Sequence, residues 1–207
     1  KLYLEEGLSI IPLKSKDKRP AIKTWKPYQE KRPNEKLVEK WFKDTNNNIG
    51  IVCGVVSGNL IVIDFDDKTL YEEWIQSLDD DSKKTILNTW IIETGRGVHI
   101  YLRIDVDEKT FKTLFGTKRE FIEKVDIKAE GGYVVAPPST HPSGKEYSFR
   151  LGPKDGVDIS NVDIQTYNRI IKSITQLKKP KSETEESEKT KADIEKEDTK
   201  EEEKGPK

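Results

Sequence analysis

Methionine is absent from this chain, cysteine occurs once and histidine only twice. One cysteine and two histidines exclude a zinc ribbon or knuckle built from this chain alone. The cysteine, Cys53, lies inside the apolar run IGIVCG and reads as a buried small hydrophobe. No apolar run approaches the roughly 18 residues of a membrane span, and no signal peptide is visible. A soluble, cytoplasmic protein is therefore expected. With no methionine, the initiator included, and Lys1 leading, the further expectation is a piece of something longer.

Charge is what the chain has in excess: 36% of its 207 residues are charged against 33% hydrophobic, a balance that looks wrong for a fully folded protein. The excess is local. From Lys178 onward nearly every residue is Lys, Glu, Asp, Ser or Thr, and Ile194 is the only large apolar one. Such a segment buries too little to offset the entropy of ordering it, so residues 178–207 are expected to be a disordered or loosely helical tail or linker, and 1–177 the folded domain. That tail carries nine lysines against eleven acids, and the whole chain is −1. The body is thus close to neutral, and any basic surface on it must be a local patch.

Along the body, helical and strand periodicities are mixed. Residues 1–7 read as the end of a helix and Leu8–Leu13 as a strand, followed by a basic loop, KSKDKRPAIKTWKP, kept irregular by Pro20 and Pro27. Asn34 caps a helix through Phe42. Ile49–Gly54 and Leu60–Phe65 read as strands joined by VVSGN, a hairpin turn by composition. A helix follows over 69–78. Trp90–Glu93 turns through TGRG into the strand Val98–Ile104, a helix covers Glu108–Phe115, and Val125–Ala129 and Tyr133–Ala136 flank Gly131-Gly132. A proline-stiffened loop leads to a last strand and a helix over Val162–Leu177. Strict βαβ alternation is missing and several turns are tight. An α+β fold is expected, with a mixed or mainly antiparallel sheet, helices on one face and the site on the other.

Three strands share an alternation that carries the chemistry. Asp64 and Asp66 fall on one face of Leu60–Asp66, His99, Tyr101 and Arg103 on one face of Val98–Ile104, and Asp126, Lys128 and Glu130 on one face of Val125–Glu130. Period-two alternation sends each set to one side of its strand. If helices cover the apolar faces, the sheet presents three aspartates, a histidine, an arginine and a lysine on its open side. Carboxylates at i and i+2 lie roughly 6–7 Å apart, and a third from a neighbouring strand makes a hard oxygen set suited to Mg²⁺ or Mn²⁺. Two such ions can activate a 3′-hydroxyl and stabilise leaving pyrophosphate, while Arg96, His99 and Lys128 neutralise triphosphate charge. Taken singly, each element has a plainer account: D-x-D after a strand is common, a mixed-charge sheet face is often just solvated, and Asp126 can simply pair with a lysine.

The ordered series resembles the primase-polymerase domain of the archaeo-eukaryotic primase superfamily, as found in plasmid and virus replication proteins. IVIDFD (Asp64, Asp66) is similar to its first motif, ETGRGVHIYLR (His99) to its second, and VDIKAEGGYVVAPPSTHPSGKEY (Asp126) to its third; the resemblance covers about residues 5–150. It implies an RNA-recognition-motif-like sheet and template-directed addition of nucleotides from NTPs or dNTPs onto a primer on single-stranded DNA. It also implies divalent metals on Asp64, Asp66 and Asp126, and His99 on the incoming phosphates. Arg96 and Lys128 become phosphate or template contacts, and Ser139 and His141, in the Pro-Pro-Ser-x-His element, are placed near the nucleotide. A serine found two residues before the histidine in some relatives is Gly97 here, the zinc-binding insertion of others cannot be built, and a downstream helicase would belong to a longer protein.

Other readings stay open on sequence alone. An RNA-recognition-motif-like module that binds single strands without catalysis fits the fold, though carboxylates on its face repel phosphate unless metal is bound. A nicking enzyme would want two neighbouring histidines and a helical tyrosine, and no His-x-His exists. The fragment could also only support a partner's activity. In the basic loop, Lys18, Arg19 and Lys23 with Trp25 suit contacts to triphosphate or template as well as they suit a solvated loop with Trp25 in the core. Trp74 and Trp90 read as core.

Overall fold

The computed structural model describes residues 1–116 and 121–177, so the charged segment from Lys178 lies outside the described residues. Within them the elements are α1 (Leu2–Glu5), β1 (Ser9–Leu13), α2 (Glu35–Phe42), β2 (Asn48–Val52), β3 (Leu60–Phe65), α3 (Lys68–Ser77), α4 (Asp80–Ile86), β4 (Ile91–Glu93), β5 (Val98–Ile104), α5 (Glu108–Phe115), β6 (Phe121–Ile122), β7 (Val125–Lys128), β8 (Tyr133–Ala136), β9 (Ser148–Leu151), β10 (Ser160–Val162) and α6 (Ile164–Gln176). The five longer helices start on a side-chain cap that accepts from backbone N–H groups: Asn34, Asp67, Asp79, Asp107 and Asp163. Each cap satisfies a donor that the helix itself cannot, a gain of about 1 kcal/mol. No described helix is long and apolar enough to cross a membrane.

The strands form a large sheet in the order β6-β7-β3-β5-β4-β9, with β10 parallel to the far end of β5, and a small antiparallel sheet β1-β2-β8. The fold is mixed α+β, as the pattern of elements predicted. The expectation of a single sheet with one open face needs correcting. One face of the large sheet (Ile61, Ile63, Phe65, Ile100, Leu102, Val125) packs against Trp74, Phe111 and Ile170 of the helices. The opposite face is also largely covered: Leu60, Val62, Trp90, Ile92 and Tyr101 pack against Ile11, Ile51 and Val134 of the small sheet. The alternation that isolates Asp64 from Ile63 therefore separates two cores rather than core from solvent. Ile63 is fully buried, and its truncation to alanine would cost about 2–5 kcal/mol.

The VVSGN segment closes a single antiparallel bridge, Gly54 with Leu60, and does not extend into a β2–β3 ladder. It forms a 3-10 turn at Val55–Ser57, and β2 and β3 go to different sheets. Ser57 ties this turn to the small sheet: its Oγ donates to Val52 O and accepts from Ser9 N, satisfying buried backbone groups at the end of the β1–β2 pair. The chain crosses between sheets a second time at Ala129–Gly132, between β7 and β8. The cleft described next opens beside this crossing.

Candidate active site

Asp64 stands opposite two partners at once, Asp126 on β7 and His99 on β5. The alternation had put these three side chains on one face, and the register places them side by side. His99 Nε2 lies 3.2 Å from Asp64 Oδ1, and both side chains are largely shielded from solvent. Burial works to raise the Asp64 pKa, but the charge and hydrogen bond of His99, with Lys128 and Lys18 behind them, outweigh it and hold the carboxyl below its usual range. Asp64 is therefore an anion at neutral pH. Asp66 follows at the strand's exposed end, its N–H donating to Lys124 O at 2.9 Å. Lys128 Nζ sits 2.5 Å from Asp126 Oδ2.

All three aspartates, His99 and Lys128 line one cleft of about 580 Å³ between the ends of the two sheets. Among the described residues, no three His, Cys, Asp or Glu side chains stand close enough together to hold a metal ion as they are. The donor set still fits a hard divalent cation in kind: carboxylate oxygens, one held ionised by buried neighbours, on adjacent strands of a rigid sheet. One oxygen of Asp126 is paired with Lys128 and one of Asp64 with His99.

The remaining residues singled out from sequence divide. Arg96 is exposed on the turn between β4 and β5, and the His141 ring rests on Gly95 beside it, where a Cβ would come within 2.5 Å of the imidazole. Burial together with the charges of Lys18, Arg96 and Lys145 lowers the His141 pKa. These cations form a rim next to the cleft. Ser139 is not brought to it. It is buried, and its Oγ accepts from Ile49 N at 2.8 Å, tying the Pro-Pro-Ser loop to β2. Arg103 also points elsewhere, donating to Glu6 O at 2.6 Å. His99 Nε2 serves Asp64 and its Nδ1 is buried without a partner, so contact with a phosphate would draw on the nitrogen that Asp64 now holds.

Sequence reasoning missed Tyr147. Its ring is buried between the two histidines, 6.0 Å from His99 and 5.9 Å from His141, and lines the cleft. Burial, with the charges of Asp64 and Asp66, pushes its hydroxyl pKa well up. Nothing in the local pattern of KEYSF marks this tyrosine, since its place depends on the loop from Thr140 to Glu146 folding back. Lys18 is another cleft residue, on the basic loop whose role stayed open; Tyr133 Oη donates to Lys18 O at 3.0 Å and holds that loop against the small sheet.

A cleft acidic at its base and cationic at its rim belongs to the class of sites built for phosphorylated ligands and the cations that accompany them. Residues 1–163 match the family model described as bifunctional DNA primase/polymerase, N-terminal. The chain belongs to that family. No curated protein matches it significantly.

Proposed function

We propose that this cleft adds nucleotides, taken from nucleoside triphosphates, to the 3′-hydroxyl of a primer on a single-stranded DNA template during replication. The large sheet is read as the RNA-recognition-motif-like platform for that chemistry. The observation that carries the reading is the register: Asp64 sits between Asp126 and His99 on neighbouring strands. A solvated sheet face has no need for an ionised, mostly buried carboxylate aligned with a second one.

Asp64, Asp66 and Asp126 would hold Mg²⁺ or Mn²⁺, which when bound supplies charge stabilisation at the transferring phosphoryl group and activates the attacking hydroxyl. The chain's own groups do the rest. His99 keeps Asp64 ionised and oriented through the 3.2 Å contact. Lys128 and Lys18 bring positive charge to the same cleft, where phosphate oxygens would take it up, and Arg96 and His141 extend that charge along the rim. Packing of the small sheet over the large one shields the base of the cleft from water and so strengthens each of these interactions.

The test is extension of a labelled primer on a single-stranded template in Mg²⁺ or Mn²⁺, comparing wild type with Asp64→Ala/Asp66→Ala. Extension that vanishes in the double variant supports the reading. Binding of the primed template with no incorporation under either metal would replace it with a non-catalytic single-strand-binding module.

A further inference from the structure

The cleft has a second wall, and its chemistry differs from that of the first. The carboxylates and Lys128 come from the large sheet, whereas Tyr133 opens β8 of the small sheet. Trp25 packs on Tyr133 edge to face, with centroids 4.9 Å apart and planes at 74°. Both rings line the same cleft as Asp64 and Asp126, and both are half-buried. In a T-shaped pair only one ring gives its face to the contact, so aromatic surface remains for the cleft. Gly131 and Gly132 also line it; at Gly131, with φ at +71°, a Cβ would meet nothing within 4 Å.

The loop that carries Trp25 also carries Lys18, whose charge acts on both Asp64 and His141. Within eight residues, one loop offers a cation near the carboxylates and an indole on the opposite wall. A ligand that matches has an anionic end, a compact middle and a flat aromatic end, and the volume of about 580 Å³ suits a small organic molecule of that kind. We infer that Trp25, backed by Tyr133, is the stacking platform for the base of the incoming nucleoside triphosphate. This rests on the proposed function of the cleft and adds to it the residue that holds the base. A base of the template strand is the competing occupant. The single cleft shared by aromatic pair, Lys18 and carboxylates favours one ligand that carries both base and phosphates.

Trp25 provides its own signal. Trp74 and Trp90 are fully buried, and Trp41 packs on Tyr28 and does not line the cleft. ATP, added in Mg²⁺ without template, is expected to quench tryptophan fluorescence in the wild type, whereas inorganic tripolyphosphate binds without quenching. Trp25→Phe should abolish the quench. Trp25→Leu, which keeps apolar packing on Tyr133, should weaken ATP binding about tenfold by calorimetry and leave tripolyphosphate binding unchanged. A loop that has merely lost its shape would weaken both ligands alike; that result would overturn the inference, and so would quenching by a single-stranded oligonucleotide but not by ATP. Either result with primer extension intact refutes the platform alone. Absence of extension by the wild type refutes the proposed function instead.

Discussion

Replacing Gly97 by alanine puts the geometry of the site under direct test. Gly97 precedes β5 at the end of the turn that Thr94 closes, with Gly97 N donating to Thr94 Oγ1 at 3.0 Å. A Cβ built on Gly97 would lie 1.7 Å from Phe65 O and 2.7 Å from Phe65 C. These are backbone atoms of β3, so no side chain can swing aside. The strands must separate by about 1.3 Å before the methyl group stands even 3.0 Å from that oxygen. The strain falls beside the Phe65–Val98 and Asp64–His99 pairs, which set the register of the proposed site. A displacement of about 1 Å at a reacting centre costs on the order of 10²-fold, and overpacking of this kind about 1–3 kcal/mol. Gly97→Ala is therefore expected to fall roughly 10²-fold in kcat/KM for primer extension, with a Tm lower by several degrees. The same clash would meet a serine at this position in this backbone. Gly156→Ala is the control: its φ of +71° makes alanine strained, but the open space around it and its distance in sequence from the site leave extension untouched. Wild-type extension and Tm in Gly97→Ala would refute the reasoning.

Ser139→Ala removes the acceptor of the Ile49 N–H and should cost about 1–3 kcal/mol of stability, read by thermal melting, with KM for the nucleotide unchanged. A raised KM at unchanged Tm would return Ser139 to the nucleotide site. His141 has a depressed pKa in the folded chain, so the stability tied to its neutral form is present above the unfolded imidazole pKa and is lost as pH falls through the folded value. Tripolyphosphate bound at the rim should raise that pKa, seen as a shift of the His141 ring signals in an NMR titration; no shift with tripolyphosphate bound would remove His141 from the phosphate path. Asp64 follows the same sign: its depressed pKa makes the Asp64–His99 contact a source of stability that acid removes, so Asp64→Asn should flatten the acid limb of a Tm-against-pH curve.

The parity of β3, β5 and β7 was legible because a strand's side chains alternate whatever the strand pairs with. Asp64, His99 and Asp126 could be assigned to one face before any neighbour was known. The apolar positions packed against the helices are the odd ones on β3 and β7 and the even ones on β5; which strand pairs with which was not legible. The second sheet was hidden because β2 and β3 are two short apolar runs separated by turn residues, the signature of a hairpin. Ser57, whose hydroxyl bonds reach back to Ser9 and Val52, ties the turn to the small sheet, and the pattern VVSGN does not display that bond. The covered face followed from the same gap: Leu60, Val62 and Tyr101 alternate with the site residues, but what packs on them comes from β1, β2 and β8. Helix α4 escaped notice because it is seven residues long and buries only Ser82 and Ile86. Tyr147 and Trp25 reach the cleft through loops, where position is set by long-range bonds and not by period.

Asp126 and Asp64, aligned across β7 and β3, are the carboxylates on which the proposed catalysis depends. Incorporation of a labelled nucleotide by Asp126→Asn tests this most directly, because the change keeps the side chain's shape while removing its charge and one acceptor oxygen. A loss on the order of 10³-fold or more is expected against a wild type that extends the primer in Mg²⁺ or Mn²⁺. Extension by folded Asp126→Asn at the wild-type rate would contradict it.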